Sequence, residues 1–231
     1  MPLDSNPVTI ILVHGGALSG RMYKDMEPTL SEKGWHVLCP DLPGHGSSVP
    51  FGPFSFPASA DFLRSQTENI RKDRPSDKIV IVGVSLGGQA VLHFLSQHPT
   101  LTDAAVVSGA SINPPGGDVG WEMPHMPESG EWLNLIIADI GKLGPGHAEG
   151  IQRESLEFTL EVNDQIPPVL VVVGEDDVGM AKRDFEELYR RLHEANLRTE
   201  KVVLEKAWHN HPIDVPERFS ELVSDWATKM L

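Results

Sequence analysis

The stretch Lys78-Ile-Val-Ile-Val-Gly-Val-Ser-Leu-Gly-Gly88 joins an apolar, β-branched run directly to the start of a helical pattern. A chain that turns from strand to helix within about two residues brings positions 83 and 87 into near contact, and only small residues fit there. Gly83 and Gly87 meet this requirement. The sharp turn lifts the Ser85 hydroxyl out of the sheet and leaves the amide of Leu86 free at the helix start to hold an oxyanion. Ser85 is therefore the leading candidate for a catalytic nucleophile.

Short apolar runs alternate with helical patterns on both sides of this stretch. Most of the runs are continuous rather than alternating, which is typical of parallel strands covered on both faces. The alternation predicts right-handed βαβ units and an α/β fold. The predicted strands are Val8–Val13, His36–Cys39, Lys78–Val82, Ala104–Val107, Val169–Val173 and Thr199–Leu204. The predicted helices are Tyr23–Lys33, Ser59–Arg74, Leu86–His98, Glu131–Ile140, His147–Leu160, Ala181–Asn196 and Pro216–Met230.

One segment, 110–168, contains no convincing strand pattern. It opens with a loop rich in proline and glycine, Asn113-Pro-Pro-Gly-Gly-Asp118, and two of the predicted helices follow. A long excursion between two core strands is typical of a lid or binding insertion. We therefore predict a core made of residues 1–109 and 169–231, a lid made of residues 110–168, and a single domain overall.

Composition limits the classes of partner. The 231 residues include 19 basic and 33 acidic side chains, and the net charge is −14. This balance disfavours nucleic acid and anionic membranes, which require a basic surface. The one cysteine, Cys39, ends an apolar run and is expected to be a buried small hydrophobe. No apolar run reaches membrane-spanning length and no signal-peptide pattern is present, so we expect a cytoplasmic protein with no membrane insertion.

A serine nucleophile requires a base that is itself oriented by an acid. The apolar run Val169–Val173 is followed by Gly174-Glu-Asp-Asp177, and the last predicted strand is followed by Ala207-Trp-His-Asn-His-Pro212. The carboxyl ends of parallel strands meet at one edge of a sheet, so these groups are expected to lie near Ser85. The chain order of the three candidates is serine, aspartate, histidine.

The chain resembles the α/β-hydrolase fold superfamily over nearly its whole length, and that family has the same order of triad residues. Val13-His-Gly-Gly-Ala17 is similar to the family's loop, in which a strand is followed by His-Gly and small residues. Asp41-Leu-Pro-Gly-His-Gly-Ser47 resembles the first seven positions of its D-x-x-G-x-G-x-S signature. Gly174-Glu175-x-Asp177 resembles its G-E-x-D pattern. His209 precedes Pro216-Glu217 by the usual seven residues.

The resemblance implies a three-layer sandwich around a mostly parallel sheet of about six strands, without the first two strands of larger relatives. It implies that Ser85 is the nucleophile, that His209 is the base and that Asp177 orients the base. The oxyanion would be held by the backbone N–H groups of Gly16 and Leu86. No metal and no organic cofactor is implied.

Alternatives remain for two of these roles. Asp176 competes with Asp177, and His211 competes with His209, because family spacing alone separates the members of each pair. His209, His211 and Asp214 together suggest a metal site, but no third histidine or cysteine stands nearby at ligand spacing.

Aromatic and methionine side chains in the loops and the lid are candidates for an apolar substrate pocket, although ordinary packing explains them almost as well. The candidate pocket residues are Ala17, Phe51, Phe54, Trp121, Met123, Met126 and Trp132.

The function expected from these residues and from the resemblance is that of a serine hydrolase. It would cleave a small, mostly apolar carboxylic ester, lactone or thioester through an acyl-enzyme. The alternatives are a lyase, a carbon–carbon hydrolase or a cyclase of the same fold, and a ligand-binding receptor with a slow triad. The lysine that commonly adjoins the histidine of hydroxynitrile lyases is absent, because Trp208 and Asn210 flank His209. The sequence does not indicate an oligomeric state.

Overall fold

A computed structural model describes residues 7–113, 130–144 and 146–231 of the chain. Within these residues a single open sheet has the strand order β2-β1-β3-β4-β5-β6, and each of the five pairings is parallel. The predicted α/β fold with a parallel sheet of six strands is confirmed. The strands are β1 (Val8–Val13), β2 (His36–Leu38), β3 (Lys78–Val84), β4 (Ala104–Ser108), β5 (Val169–Gly174) and β6 (Glu200–Leu204).

Helices cover both faces of the sheet and complete three layers. They are α1 (Glu27–Glu32), α2 (Phe56–Asp73), α3 (Leu86–Gln97), α4 (Glu131–Ile140), α5 (His147–Glu157), α6 (Gly179–Ala195), α7 (His211–Asp214) and α8 (Pro216–Met230). Successive residues of β1 face opposite layers. Ile10 belongs to the buried cluster that includes Leu30 of α1 and Phe219 of α8, whereas Ile11 belongs to the cluster that includes residues of α2, α3 and α6. This arrangement explains why the strands in the middle of the sheet are apolar at nearly every position.

The order of the strands indicates the edge of the sheet at which a ligand is expected to bind. The chain passes from β1 to β2 on one side and returns to β3 on the other side of β1. The sheet therefore has a topological switch point between β1 and β3, and open α/β sheets bind ligands beyond the carboxyl ends of their strands at such a point. The loop after β1 and the turn after β3 flank this point.

Several helix boundaries differ from the sequence expectation, and two of them have a clear local cause. The helix expected from Tyr23 begins instead at Glu27, after a 3₁₀ turn at Gly20–Tyr23, and Pro28 stands in its first turn, where proline is best tolerated. Helix α2 begins three residues before the expected Ser59, because the Ser55 hydroxyl accepts the amide of Ala58 at 3.2 Å and caps the helix.

The described part of the 110–168 segment contains α4 and α5. Of the candidate pocket residues, Trp121, Met123 and Met126 lie outside the described residues. Among the residues that the structure describes, no helix combines the length and apolar character needed to span a membrane.

Candidate active site

The turn between β3 and α3 holds Ser85 in a strained backbone conformation. Ser85 has φ 56° and ψ −121°, a region that L-residues rarely occupy. The two glycines around it are required by contact, because a methyl group on Gly83 would overlap the backbone of Gly87, and one on Gly87 would overlap the carbonyl of Val13. Such strain persists only where the surrounding structure imposes it, and it is concentrated at functional sites.

The loop after β1 brings Gly16 beside Leu86. A methyl group built on Gly16 would lie 3.5 Å from Cβ of Leu86, so the two residues that were expected to supply oxyanion amides are neighbours. Leu86 is the first residue of α3, and its amide belongs to the first turn, where N–H groups lack a partner within the helix. Ala17, the next residue in the loop, has a positive φ of 61°.

His14 holds this loop in place. Its Nε2 accepts the amide of Leu42 at 3.0 Å, and its Nδ1 lies 2.8 Å from the carbonyl oxygen of Gly15. These partners require a neutral ring with the proton on Nδ1. Burial lowers the pKa of His14, in agreement with a neutral ring.

The loop after β2 is organised by Asp41. Its carboxylate accepts the backbone amide of Gly20 at 2.8 Å, and it accepts both the amide and the hydroxyl of Ser47 at 2.7 Å. Burial alone would raise the pKa of Asp41, but these hydrogen bonds lower it below its usual value. The D-x-x-G-x-G-x-S motif therefore ties the loops after β1 and β2 together.

The candidate acid and base meet across the loops that follow β5 and β6. Oδ1 of Asp177 lies 2.6 Å from Nδ1 of His209 and also accepts the amide of Val178 at 2.8 Å. Oδ2 of Asp177 accepts the amide of Gly174 at 3.1 Å. Burial alone would raise the pKa of Asp177, but the hydrogen bond and charge of His209 outweigh it and hold this pKa below its usual range. A charged Asp177 fixes the His209 ring with its proton on Nδ1.

The acids next to Asp177 face elsewhere. Asp176 is exposed, and its backbone amide donates to the carbonyl of Ala207 at 3.0 Å. The carboxylate of Glu175 accepts the amide of Lys206 at 2.9 Å. Only Asp177 of the three consecutive carboxylates is buried.

Ser85 and His209 both contact the short segment Ser108-Gly109 at the end of β4. The amide of Ser85 donates to the carbonyl of Ser108 at 2.8 Å. A methyl group on Gly109, which has φ 60°, would lie 3.1 Å from Nδ1 and Cε1 of His209 and 3.4 Å from Oδ2 of Asp177. The candidate nucleophile, base and acid therefore converge on one edge of the sheet, around a glycine that leaves room for the imidazole.

Ser108 and Gly109 were not among the predicted site residues, and His211 was predicted only as an alternative to His209. The structure places His211 at a different point, with Nδ1 2.6 Å from Oγ of Ser108 and Nε2 3.6 Å from Oδ2 of Asp177. Burial lowers the pKa of His211 to about 4. Ser108 and His211 are 103 residues apart, so no sequence signal indicated this contact.

The described pocket candidates differ in their surroundings. Phe54 is buried between the rings of His45 and Phe56, at centroid distances of 5.3 and 5.2 Å. Trp132 of α4 donates its Nε1–H to Asp25 at 3.0 Å, and the ammonium of Lys24 lies 4.7 Å from its ring centroid. Phe51 ends a 3₁₀ turn at Gly46–Phe51.

Helix α5 reaches the loop after β1 through Ile151, which was not among the predicted site residues. Cγ2 of Ile151 would lie 3.5 Å from a methyl group on Gly16. Polar contacts hold α5 at this position, because Gln89 of α3 donates to the carbonyl of Ser155 at 3.1 Å and accepts the hydroxyl of Ser155 at 2.7 Å. A side chain from the insertion therefore adjoins the residues that would bind the reacting carbonyl.

Hydrogen bonds to the buried carboxylate of Asp184 in α6 hold the first residues of the 110–168 segment in place. Its carboxylate accepts the amides of Ile112 and Asn113 at 2.8 and 3.1 Å and the hydroxyl of Ser111 at 2.6 Å. Burial alone would raise the pKa of Asp184, but hydrogen bonds from Arg183 and these groups lower it to about 2.

The arrangement brings together the candidate nucleophile, base and acid, and the described residues offer no evident place for a metal ion. Among the described residues, no group of three or more histidine, cysteine, aspartate or glutamate side chains is arranged to hold one.

The chain is similar to known proteins along nearly its whole length. The sequence model of the alpha/beta hydrolase family matches residues 10–222. A pimeloyl-[acyl-carrier protein] methyl ester esterase of Neisseria meningitidis serogroup B is 28% identical over 251 aligned residues, which cover 94% of this chain and 92% of the relative.

Solved structures share the fold at lower identity. A thermophilic esterase from Thermogutta terrifontis is 21% identical with a TM-score of 0.74, covering 98% of this chain and 91% of that chain. A bromoperoxidase from Bacillus anthracis is 17% identical with a TM-score of 0.73, covering 96% and 92%. These two names describe different reactions on one fold, so the reaction of this chain has to be argued from its own site.

Proposed function

Because this chain belongs to the alpha/beta hydrolase family, we propose that it is a serine esterase that uses Ser85, His209 and Asp177 as its catalytic triad. Its substrate is a small, mostly apolar carboxylic ester, lactone or thioester. Cleavage proceeds through an acyl-enzyme on Ser85.

The observation that carries this proposal is the 2.6 Å contact between Asp177 Oδ1 and His209 Nδ1 beside Gly109. It leaves Nε2 of His209 without a proton, because a neutral imidazole carries only one and the carboxylate retains it on Nδ1. Ser85 is bonded through its amide to the residue that precedes Gly109. A base with an unprotonated Nε2 thus lies at the same end of β4 as a serine on a strained turn, and nucleophilic catalysis requires such a pair.

The reaction takes place in two halves. Nε2 of His209 accepts the Ser85 proton as the serine oxygen attacks the ester carbonyl, and the same proton then passes to the leaving alcohol as the carbon–oxygen bond breaks. Water then enters and gives a proton to His209 as its oxygen attacks the acyl-enzyme. His209 returns that proton to the Ser85 oxygen as the bond to the acyl carbon breaks and the carboxylic acid is released. Asp177 stabilises the imidazolium in both halves and stays ionised.

The amides of Gly16 and Leu86 hold the oxyanion that forms in each half. Their proximity and the position of Leu86 at a helix start support this role. One such donor contributes about 3 kcal/mol to transition-state stabilisation. Ala17, whose positive φ fixes the loop, keeps the Gly16 amide aimed at the carbonyl.

An uncharged substrate agrees with the charge of the insertion. Residues 130–168 carry seven carboxylates against two cationic side chains, so an anionic substrate would be repelled. The curated relative is named for a methyl ester, and we carry over only the class of bond, an ester of a small alcohol. Ile151 beside Gly16 makes the acyl side of the site apolar.

The test is multiple-turnover hydrolysis of p-nitrophenyl esters of increasing acyl length by the purified protein and by Ser85→Ala. We expect Ser85→Ala to lower kcat by about a millionfold, as in other triad enzymes. The wild-type protein should also accumulate an acyl adduct, detectable by intact mass during turnover of the shortest ester.

The matched control is Ser65→Ala, which removes an exposed hydroxyl of α2 that bonds only to the carbonyl of Asp61. Its kcat should equal that of the wild type. Because host esterases in the preparation can mimic a residual rate, each variant is purified in parallel with an empty-vector sample. If Ser85→Ala kept more than about a hundredth of the wild-type kcat, Ser85 would have no nucleophilic role.

A further inference from the structure

His211 is a fully buried histidine that the proposed triad does not use. It is the first residue of α7, and its ring packs against Phe219 of α8 at a centroid distance of 5.5 Å. Its Nδ1 lies 2.6 Å from Oγ of Ser108. Its Nε2 makes no hydrogen bond within the described residues and lies 3.6 Å from Oδ2 of Asp177. A buried polar atom without an ordinary partner requires an explanation.

The partners of His211 determine its protonation. Burial lowers its pKa to about 4, so the ring is neutral at pH 7 and carries a single proton. Two titratable groups act on it, Asp177 from the loop after β5 and His209 from the loop after β6. A negative carboxylate opposite Nε2 favours the proton on that nitrogen, and Nδ1 then accepts the hydroxyl proton of Ser108.

We propose that His211 is a positioning residue of the triad, whose Nε2–H points at Oδ2 of Asp177 and holds that carboxylate in line with His209. This inference rests on the proposed function. At 3.6 Å the contact is longer than an ordinary hydrogen bond of about 2.9 Å, so it acts as a dipole directed at a charge. The low dielectric of the buried site strengthens such an interaction.

Asp177 is thereby fixed at both oxygens. Oδ1 accepts His209 Nδ1 and the amide of Val178, and Oδ2 accepts the amide of Gly174 and faces His211. The N–H of His211 also draws negative charge toward Oδ2 and away from His209. Without it, more of the negative charge of Asp177 faces His209, and we expect the acid limb of the pH–activity profile to move to higher pH.

The experiment compares His211→Phe, which keeps the bulk of the ring, with His211→Gln, whose amide N–H is able to replace Nε2–H. For His211→Phe we expect kcat to fall at least tenfold with KM within twofold of the wild type. The acid limb of its kcat/KM profile should move up by about half a pH unit. His211→Gln should recover most of the kcat and return the acid limb toward its original position.

A second variant acts without touching the ring. Ser108→Ala removes the hydroxyl that holds the tautomer of His211 but keeps the carbonyl that accepts the Ser85 amide. We expect kcat to fall and the acid limb of the kcat/KM profile to move upward, as for His211→Phe, but by smaller amounts. The matched control is His193→Phe, since His193 bonds the carbonyl of Thr199 at the opposite edge of the sheet. Its acid limb should not move.

A readout independent of activity is the ¹⁵N–¹H spectrum of the histidine rings in the wild-type protein. The inference predicts that His211 is neutral with its proton on Nε2 at pH 7. A proton on Nδ1 overturns it, and so does an equal loss of kcat in folded His211→Phe and His211→Gln with unmoved acid limbs. If the wild type has no Ser85-dependent turnover, the proposed function fails, and the ring spectrum still decides the placement of His211.

Discussion

The substitution Asp177→Asn separates the charge of the carboxylate from its shape. Oδ1 accepts two donors, His209 Nδ1 and the amide of Val178, while Oδ2 accepts the amide of Gly174. An asparagine has one oxygen and one NH₂ group, so in either orientation of the amide an NH₂ meets a backbone N–H. The variant therefore changes both catalysis and stability.

The catalytic effect is the larger of the two. If the asparagine NH₂ faces His209, it favours the tautomer with the proton on Nε2, and that ring cannot accept the Ser85 proton. Loss of the tautomer and of the charge that stabilises imidazolium lowers kcat by about 10⁴-fold in comparable triads. That factor corresponds to about 5.5 kcal/mol in the activation barrier.

The effect on folding is smaller. One backbone N–H loses its acceptor in a buried site, which costs about 1–3 kcal/mol. A loss of this size lowers the urea midpoint but leaves the protein folded at pH 7, since domains of this kind have about 5–15 kcal/mol of stability.

The assay measures kcat on a p-nitrophenyl ester together with urea unfolding followed by tryptophan fluorescence. The matched control is Asp176→Asn, which changes the exposed neighbouring carboxylate and should leave kcat within twofold of the wild type. The reasoning is refuted if Asp177→Asn keeps more than about a tenth of kcat, a loss of under 1.4 kcal/mol. It is equally refuted if Asp176→Asn loses as much activity as Asp177→Asn.

Three further results are expected. Asp184→Asn should lower the free energy of unfolding by about 2 kcal/mol at pH 7, because the folded-state pKa of about 2 lies below the unfolded one. Urea titrations should show this difference shrinking as pH falls from about 4 toward 2, whereas a pH-independent difference would contradict it. Burial lowers the pKa of His14, and it lowers the pKa of His45 to about 3. Both rings are therefore neutral in the folded protein. Wild-type stability should therefore fall as pH drops below about 6.5, and a flat profile between pH 6.5 and 5 would contradict this. Ile151→Ala should shift acyl preference toward longer p-nitrophenyl esters by about tenfold in relative kcat/KM, and an unchanged ranking would remove Ile151 from the acyl site.

The strands and the tight turn around Ser85 were predictable from the sequence because each depends on local chemistry. A strand that is covered on both faces has to be apolar throughout, so runs such as Val169–Val173 stand out in the sequence. The glycines of the turn at Ser85 are dictated by contacts within a few residues or with the adjacent strand. These constraints are visible without knowledge of the rest of the fold.

The supporting contacts were not predictable because they join distant parts of the chain. Ser108 and His211 are 103 residues apart and Gln89 and Ser155 are 66 apart, and no local pattern pairs them. The choice of Asp177 over Asp176 likewise depends on which side of the loop after β5 is buried, and two adjacent aspartates carry no signal of that. Helix α1 begins later in the chain than the helical sequence pattern predicted, because a 3₁₀ turn precedes Pro28.

The most direct test of the catalytic role of Ser85 is to label the purified protein with a fluorophosphonate and map the modified residue by mass spectrometry. The account predicts one adduct per chain on Ser85, no adduct in Ser85→Ala, and labelling at least a hundredfold slower in His209→Ala. An adduct on another serine, or labelling of Ser85 at the same rate in His209→Ala, would contradict it.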